Sequence, residues 1–334
     1  MRVAFRLDAS RSVGLGHLSR SSNLARALEQ RGAHVSFVVG GEGGVELART
    51  WLPPSMPVSP AGADQDDLPT LVAHVEQAGA DVVIVDHYGL SSSYLRALRA
   101  SVGALVILDD LGDRDLTAAD LVVNTTPAGM LVDYPASLAP RLLRGDYVLL
   151  HPAFAQSRKE SSAAGERRRV LVVLGGTDAS ARLDEALVIV RARFPRAELR
   201  AVLGVPREGQ RSRVGEARYY AEPPEAMAAH AAWADLAIAS ASTLAWELAA
   251  VGTPAILCRV AENQGPTARF FRELEAFPVL EGIDGLDAAL RAIEGLSSEE
   301  RETRARRFAS VCDGEGAARL ADHLVTSWYP SRRP

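Results

Sequence analysis

Twice along this chain, short apolar runs rich in β-branched residues alternate with stretches of helical periodicity, and this alternation restricts the fold more than any other feature. In the first half the apolar runs occupy residues 3–5, 34–39, 82–86, 104–109 and 120–124, with helical patterns at 18–30 and 68–77 between them. Strands this short and apolar, joined by amphipathic segments, assemble as a parallel sheet with crossover helices. Several of the runs finish on a polar residue. Asp86, Asp109 and Asn124 therefore stand at carboxyl ends of strands, the edge at which open α/β sheets bind their ligands.

Over residues 156–168 the sequence turns polar and small, QSRKESSAAGERR, and then the alternation restarts. A strand at 169–174 runs into Gly175-Gly176-Thr177-Asp178. Helical and strand patterns then alternate through 184–194, 199–203, 218–221, 224–231, 236–239, 243–251 and 254–257, with a further helical run at 299–310. A chain of 334 residues exceeds what one hydrophobic core usually supports. The pattern predicts an N-terminal domain over 1–157, a linker over 158–168, a second domain of the same architecture over 169–315, and a C-terminal helix within 316–334 that packs back on the first domain.

Composition excludes several classes. Hydrophobic residues at 47% and charged residues at 24% are a globular balance. A formal net charge of −5 supplies no global attraction to nucleic acid or anionic lipid, so any phosphate recognition is local. The opening MRVAFRLDAS lacks the apolar run of a signal peptide or membrane helix, which points to a cytoplasmic protein without membrane insertion. Cys258 and Cys312 stand in separate segments without a paired-cysteine motif, which supports neither a zinc site nor a disulfide framework. Lys159 is the only lysine, and its neighbours do not form a glycine-rich phosphate loop; Schiff-base chemistry is disfavoured with it.

Four segments carry chemistry. In RLDASRSVGLGHLSRSSNLARAL, Asp8 ends the first strand, and Gly14, Gly16 and His17 lead into a helix whose free N–H groups suit an anion. His17 is the side chain suited to general-base work near neutral pH. A helix-start histidine making only a local hydrogen bond is the plainer reading, and the Gly-x-Gly-His setting at a strand-to-helix turn favours catalysis over it. With Ser19 at the third position, the dinucleotide glycine fingerprint is not met. Gly40, Gly41, Gly43 and Gly44 read as a flexible loop after the second strand.

Next, VVIVDHYGL delivers Asp86, His87 and Tyr88 to the sheet edge, where they grip sugar hydroxyls or position a base; the alternative is an Asp86 that merely caps the next helix beside solvated neighbours. Asp109, Asp110 and Arg114 lack a regular metal-ligand spacing, which favours capping and ion pairing. In VLVVLGGTDAS, Gly175, Gly176 and Thr177 offer amides and a hydroxyl to a phosphate, against a turn simply capped by Asp178. In DLAIASASTLAWELAAV, the small loop Ser240, Ala241, Ser242, Thr243 opens a helix, and Glu247 one turn in can accept both ribose hydroxyls or be an ordinary solvated glutamate. Asn263 and Gln264 begin a later helix and either read a sugar or phosphate through their amides or serve as its cap.

In order and spacing, RLDAS…GLGH, VDHY, LDDLGDR, RLLRGDYVLLHPAF, LGGTD, DLAIASASTLAWE and ENQ resemble the bacterial UDP-sugar hydrolase family of pseudaminic acid biosynthesis and its spore-coat polysaccharide relatives. That family looks like GT-B glycosyltransferases of the MurG type. The resemblance implies an α/β, GT-B-like fold: two Rossmann-like parallel-sheet domains with a cleft between them. The chain is separately expected to be a monomer or weak dimer without a metal site; the resemblance further implies no cofactor and hydrolysis of a UDP-linked diacetamido-trideoxyhexose at the anomeric carbon. By it His17 is the base that activates water, with Asp8 and Asp86 as its catalytic companions. Gly14, Gly16, His87, Tyr88, Asn263 and Gln264 then bind the substrate, and Gly175, Gly176, Thr177, Ser240, Ser242, Thr243 and Glu247 bind the nucleotide.

The chain departs from the family pattern at Ala241-Ser242, where relatives carry Gly-Gly or Gly-Ser. It departs again at Leu150-His151-Pro152-Ala153-Phe154, in place of Leu-Arg-x-Glu-Phe, and at Arg259 and Glu262, where relatives are apolar. Two other functions fit the same residues. One is a glycosyltransferase in which His17 deprotonates an acceptor hydroxyl; the other is a noncatalytic nucleotide-sugar binding module, against which the retained His17 argues.

Overall fold

A computed structural model describes residues 1–10, 16–62, 66–159, 169–175, 179–203, 214–220 and 222–330. Gly14, Gly176, Thr177 and Asp178, and residues 160–168 of the expected linker, lie outside the described residues. The chain divides into two units, Met1–Leu150 with Glu315–Pro334, and His151–Gly314.

In the first unit the apolar runs become β1 (Arg2–Asp8), β2 (His34–Gly40), β3 (Val58–Pro60), β4 (Val82–Asp86), β5 (Leu105–Leu108), β6 (Leu121–Asn124) and β7 (Leu142–Arg144). Between them run α1 (Gly16–Glu29), α2 (Gly44–Trp51), α3 (Leu68–Ala78) and α4 (Ser92–Ser101). The described strands pair in parallel in the order β3-β2-β1-β4-β5-β6-β7. The inner strands β4, β5 and β6 are buried along their whole length, as helices on both sides require. Val3, Phe5 and Leu7 of β1 pack with Leu18, Leu24 and Leu28 of α1 on one face. Ala4, Val83 and Val85 pack with Leu71 and Val75 of α3 and Leu95 and Leu98 of α4 on the other, the two-residue period of a pleated strand.

The second unit repeats the plan. It contains α5 (Pro152–Gln156), β8 (Arg169–Val173), α6 (Ala179–Arg193), β9 (Glu198–Leu203), β10 (Ala217–Tyr220), α7 (Pro224–Trp233), β11 (Leu236–Ser240), α8 (Thr243–Val251), β12 (Ala255–Arg259), α9 (Gly265–Leu274), β13 (Val279–Glu281), α10 (Leu286–Glu294) and α11 (Ser298–Ala309). Its strand order is β10-β9-β8-β11-β12-β13. In both sheets the chain works outward from a central strand and then returns to that strand's other side. The reversal, between β1 and β4 and between β8 and β11, opens the crevice where doubly wound sheets take ligands. Register pairs Leu7 with Asp86 in the first sheet and Val173 with Ala239 in the second.

The last helix, α12 (Gly316–Asp322), continues into a π-helical turn at His323–Trp328. Leu320, Ala321 and Leu324 enter the same core as α1, and the Arg31 guanidinium donates to both Asp322 oxygens at 2.6 Å. The second unit begins at His151, ahead of the polar stretch. His151 caps α5 by accepting from the Ala153 N–H, Phe154 is buried, and α5 packs against α7 and α8.

Gly40 to Gly44 do not form the flexible loop expected from composition. Gly40 ends β2 and Gly44 begins α2, and the tight turn between them lies against the backbone of Ala9. A Cβ on Gly41 would meet the Ala9 carbonyl oxygen at 2.5 Å, and one on Gly44 would meet it at 2.6 Å. Close approach of two backbones, together with φ of +88° at Gly41 and +68° at Gly43, is what the glycines permit. Among the described residues no helix is long and apolar enough to cross a membrane.

Gly43 has positive φ but open space around its missing Cβ, whereas Gly41 has both constraints. Gly43→Ala is therefore expected to lose about 1 kcal/mol of stability, the left-handed penalty alone. Gly41→Ala is expected to lose about 2–3 kcal/mol, strain and collision together. Urea unfolding of both variants measures the difference; equal losses would remove the Ala9 contact from the account.

Candidate functional site

At residues i, i+3 and i+4 of one helix face, α1 presents His17, Arg20 and Ser21 toward the end of β4. All three meet Asp86, which is fully buried. His17 Nδ1 lies 2.5 Å from Asp86 Oδ1. The Arg20 guanidinium donates through Nε to Oδ2 at 2.8 Å and through Nη2 to Oδ1 at 2.5 Å. The Ser21 hydroxyl donates to Oδ2 at 2.9 Å. Burial alone would raise the Asp86 carboxyl; the charge of Arg20, with the contribution of His17, instead holds it far below the usual carboxylate range. An ionised Asp86 accepts, so His17 donates from Nδ1, and in the neutral ring Nε2 is then the nitrogen that keeps a lone pair. Among the described residues Nε2 has no hydrogen-bond partner.

Arg20 also reaches Asp110, just beyond β5, donating from Nη1 at 2.5 Å. The same Asp110 Oδ2 accepts from the Tyr88 hydroxyl at 2.6 Å. Tyr88 stands edge-on to the His17 ring with centroids 4.5 Å apart, is 38% exposed, and lies under the Arg20 guanidinium at 5.9 Å. Desolvation of its hydroxyl and the adjacent Asp110 charge hold the phenol far above its ordinary range, so it remains a neutral donor. Arg114 donates to the His87 carbonyl at 2.6 Å and to the Tyr88 carbonyl, fixing the segment that carries both.

Asp8 and His87 form a separate bridge across the sheet edge. His87 accepts at Nδ1 from the Gly89 and Leu90 N–H groups, at 2.8 and 3.1 Å. Its Nε2 therefore donates to Asp8 Oδ2 at 2.9 Å. The other Asp8 oxygen accepts from Arg6 Nη1 at 2.5 Å. Burial raises the Asp8 carboxyl, and the hydrogen bonds from His87 and Arg6 outweigh it, leaving the group well below its usual range. Both ring nitrogens of His87 are thus taken by the protein. Gly16, the first residue of α1, is exposed with open space around its Cα.

In the second unit Ser240 ends β11 buried, and its hydroxyl lies 2.9 Å from that of Ser242. Ser242 caps α8 by accepting from the Leu244 N–H. Gly175, past β8, has φ of +61°, and a Cβ there would sit 3.4 Å from Ser240 Oγ; the crevice is built for small residues. Thr243 is exposed at the helix start, and Glu247 one turn on is half-buried. Glu247 has no hydrogen-bond or ion-pair partner among the described residues, and burial pushes its carboxyl up to about 7. Asn263 is exposed, while Gln264 Oε1 accepts from the Val260 N–H at 2.9 Å, closing a 3₁₀ turn at Glu262–Gln264.

The structure brings His17, Asp86 and Tyr88 together. It ties Asp8 to His87 and sets Gly175 beside Ser240 and Ser240 beside Ser242 at the other sheet's reversal, with Thr243 at the start of α8 and Glu247 one turn along it. Asp86 does not cap the helix that follows it, because Ser91 does so by accepting from the Tyr94 N–H. Asp109 does act as a local cap, with Oδ2 accepting from Leu111 and Gly112. Sequence reading missed Arg20 and Ser21, although their spacing from His17 along a helix was the available signal. Among the described residues no group of His, Cys, Asp and Glu side chains has the arrangement of a metal site.

No family model matches the chain. It is similar to the spore coat polysaccharide biosynthesis protein SpsG of Bacillus subtilis (strain 168), with 23% identity over 283 residues, 82% of this chain and 81% of that protein. Among solved structures it is similar to MurG of Acinetobacter baumannii, with a TM-score of 0.68 at 15% identity over 96% of this chain and 98% of that one. It is also similar to the UDP-GlcNAc 2-epimerase of Neisseria meningitidis bound to UDP-GlcNAc, with a TM-score of 0.63 at 9% identity over 98% of this chain and 100% of that one. The architecture is α/β and GT-B-like, with two Rossmann-like parallel sheets.

Glu247 gives a stability test with a defined sign. Its folded carboxyl titrates at about 7, above the unfolded value of about 4.3. Between those values the native state holds a proton that the unfolded state has lost, so stability falls as pH rises through this window and is level above it. Glu247→Gln removes that penalty. The variant should be more stable than the parent by about 1–2 kcal/mol at pH 8, allowing for residual solvent contact, and equal to it at pH 4. Thermal or urea unfolding at the two pH values checks this; an unchanged difference would mean that Glu247 is not strained by burial.

Proposed function

We propose that the protein is a nucleotide-sugar hydrolase that cleaves the glycosyl C1–O bond of a UDP-linked amino sugar, releasing UDP and free sugar, with His17 as general base. The observation that carries this reading is the His17–Asp86 pair. A buried carboxylate holds Nδ1 at 2.5 Å, and Nε2, without a partner among the described residues, keeps a lone pair in the neutral ring for a water proton. Water attacks the anomeric carbon, its proton passes to Nε2, and the C1–O electron pair leaves with UDP.

Nucleotide recognition belongs to the second unit in this proposal. The start of α8, with the Ser242 and Thr243 hydroxyls and first-turn N–H groups, meets the diphosphate without requiring a lysine. Glu247, whose oxygens have no partner among the described residues, accepts the two ribose hydroxyls. Support comes from likeness to a structure bound to UDP-GlcNAc and to a polysaccharide biosynthesis protein. Tyr88, 38% exposed beside His17, offers a ring face to the sugar. That open face is also what an acceptor would need, which makes a glycosyltransferase the second reading. The proposed setting is the cytoplasm, as a monomer or weak dimer.

Incubating the protein with UDP-amino sugars and no acceptor should release UDP, and His17→Ala should slow release by about 10²–10⁴-fold. Silence until a hydroxyl acceptor is added would identify a transferase instead. Turnover in ¹⁸O-labelled water should put the label in the sugar; label in UDP would mean attack at phosphorus and overturn the mechanism.

A further inference from the structure

We propose that Arg20 is a positioning residue that sets the protonation of His17: by neutralising Asp86 it allows that carboxylate to orient the imidazole without holding it in the protonated form. The inference rests on His17 being the base of the proposed reaction, and it extends that reading to a residue outside the reacting pair.

The geometry makes Arg20 the hub of the site. One guanidinium engages both oxygens of Asp86 and one oxygen of Asp110, and its Nη2 comes within 3.3 Å of His17 Nδ1. A carboxylate 2.5 Å from an imidazole stabilises the imidazolium, which is useless as a base. A bidentate guanidinium on that carboxylate cancels most of this pull while leaving an oxygen to accept from Nδ1–H. The hydrogen bond is kept and the net charge is removed.

Among the described residues the groups around the ring are few. From α1 come Arg20 and Ser21. From β4 and its end come Asp86 and Tyr88, the latter a neutral phenol, and from beyond β5 comes Asp110. The charges of β1 are engaged elsewhere, Arg6 with Asp8 and Asp67, and Asp8 with His87. Against α12 the nearest ion pair is Arg31 with Asp322, past the far end of α1, about 20 Å along the helix from His17. Among the described residues, removing the Arg20 charge therefore leaves the Asp86 carboxylate against His17 with no other cation bonded to it.

The test compares Arg20→Gln and Arg20→Met, which lose the charge, with Arg20→Lys, which keeps it, and with Ser21→Ala. The readouts are the pH profile of kcat/KM and the NMR titration of the His17 ring. In whichever charge-removing variant folds, the acidic limb of the profile should move up by about one pH unit, and the ring should take up its proton at correspondingly higher pH. Arg20→Lys and Ser21→Ala should stay near the parent. A uniform loss of rate with an unmoved limb and an unmoved ring titration would reduce Arg20 to a structural tie and overturn the proposal. If the parent turns over no nucleotide sugar, the functional reading fails, and the ring titration alone still decides: a shift sustains the role of Arg20, and no shift ends it.

Discussion

A buried carboxylate at the end of a central strand is what the carboxyl edge of the first unit depends on. Asp86 has no solvent contact, and leaving such a charge unpaired costs several kcal/mol. Its two oxygens instead receive four donors, three side chains from a single helix face. The ion pair does less to raise overall stability than to specify geometry, because its Coulomb gain is largely offset by desolvation. What it specifies is the rotation of α1 about its axis. Any other rotation strands the charge, so His17 is delivered to the strand-order reversal between β1 and β4 by the same interaction that selects its tautomer.

A second buried charge network stands beside the first. Arg6 lies wholly inside β1, an unusual residue for a central strand, and bonds Asp67 at the start of α3 and Asp8 at the strand end. Tyr94 of α4 donates to the other Asp67 oxygen at 2.6 Å, and Asp8 passes the link on to His87. The sheet edge is thus clamped from both faces, by α1 through Asp86 and by α3 and α4 through Arg6. This explains why Asp8 and His87, which look like chemistry in the sequence, are engaged by protein partners on every side that the described structure records.

Much of the architecture was legible because parallel strands buried on both faces have an unmistakable composition. VVIVD, LAIAS and RVLVV are strands in the structure as their residues suggest, and TLAWELAAV is a helix over the residues expected. The edge strands β3, β7 and β13 were not legible: each has three residues, half-exposed, and is held by a neighbour's backbone more than by its own side chains. Helix α2 was hidden by the glycines before it, whose role depends on the distant backbone of Ala9. In the site, Asp86 and His17 could be singled out by position at a strand end and a helix start. Arg20 could not, since an arginine three residues into a helix is ordinarily solvated and only the fold reveals the two carboxylates it meets.

The two sheets share one topology and differ in what stands at the reversal. In the first unit it is crowded with charge, Asp8, Asp86, Asp110, Arg6 and Arg20, all paired. In the second, the described residues there are small and neutral, Gly175, Ser240 and Ser242, followed by Glu247, whose carboxyl is pushed toward neutrality by burial. These are different solutions to different demands. A base needs fixed charges to hold its ring and proton in place, and those charges must be balanced so that it stays a base. A diphosphate needs close backbone approach and N–H donors, which large or charged side chains would obstruct. In a chain with a formal charge of −5 a polyanion would have no general attraction to follow, so in the proposed reaction affinity for it would have to come from backbone N–H groups and hydroxyls at the α8 start. Under the proposed reaction the duplicated fold would let one sheet specialise in proton chemistry and the other in anion recognition, with neither set of residues compromising the other.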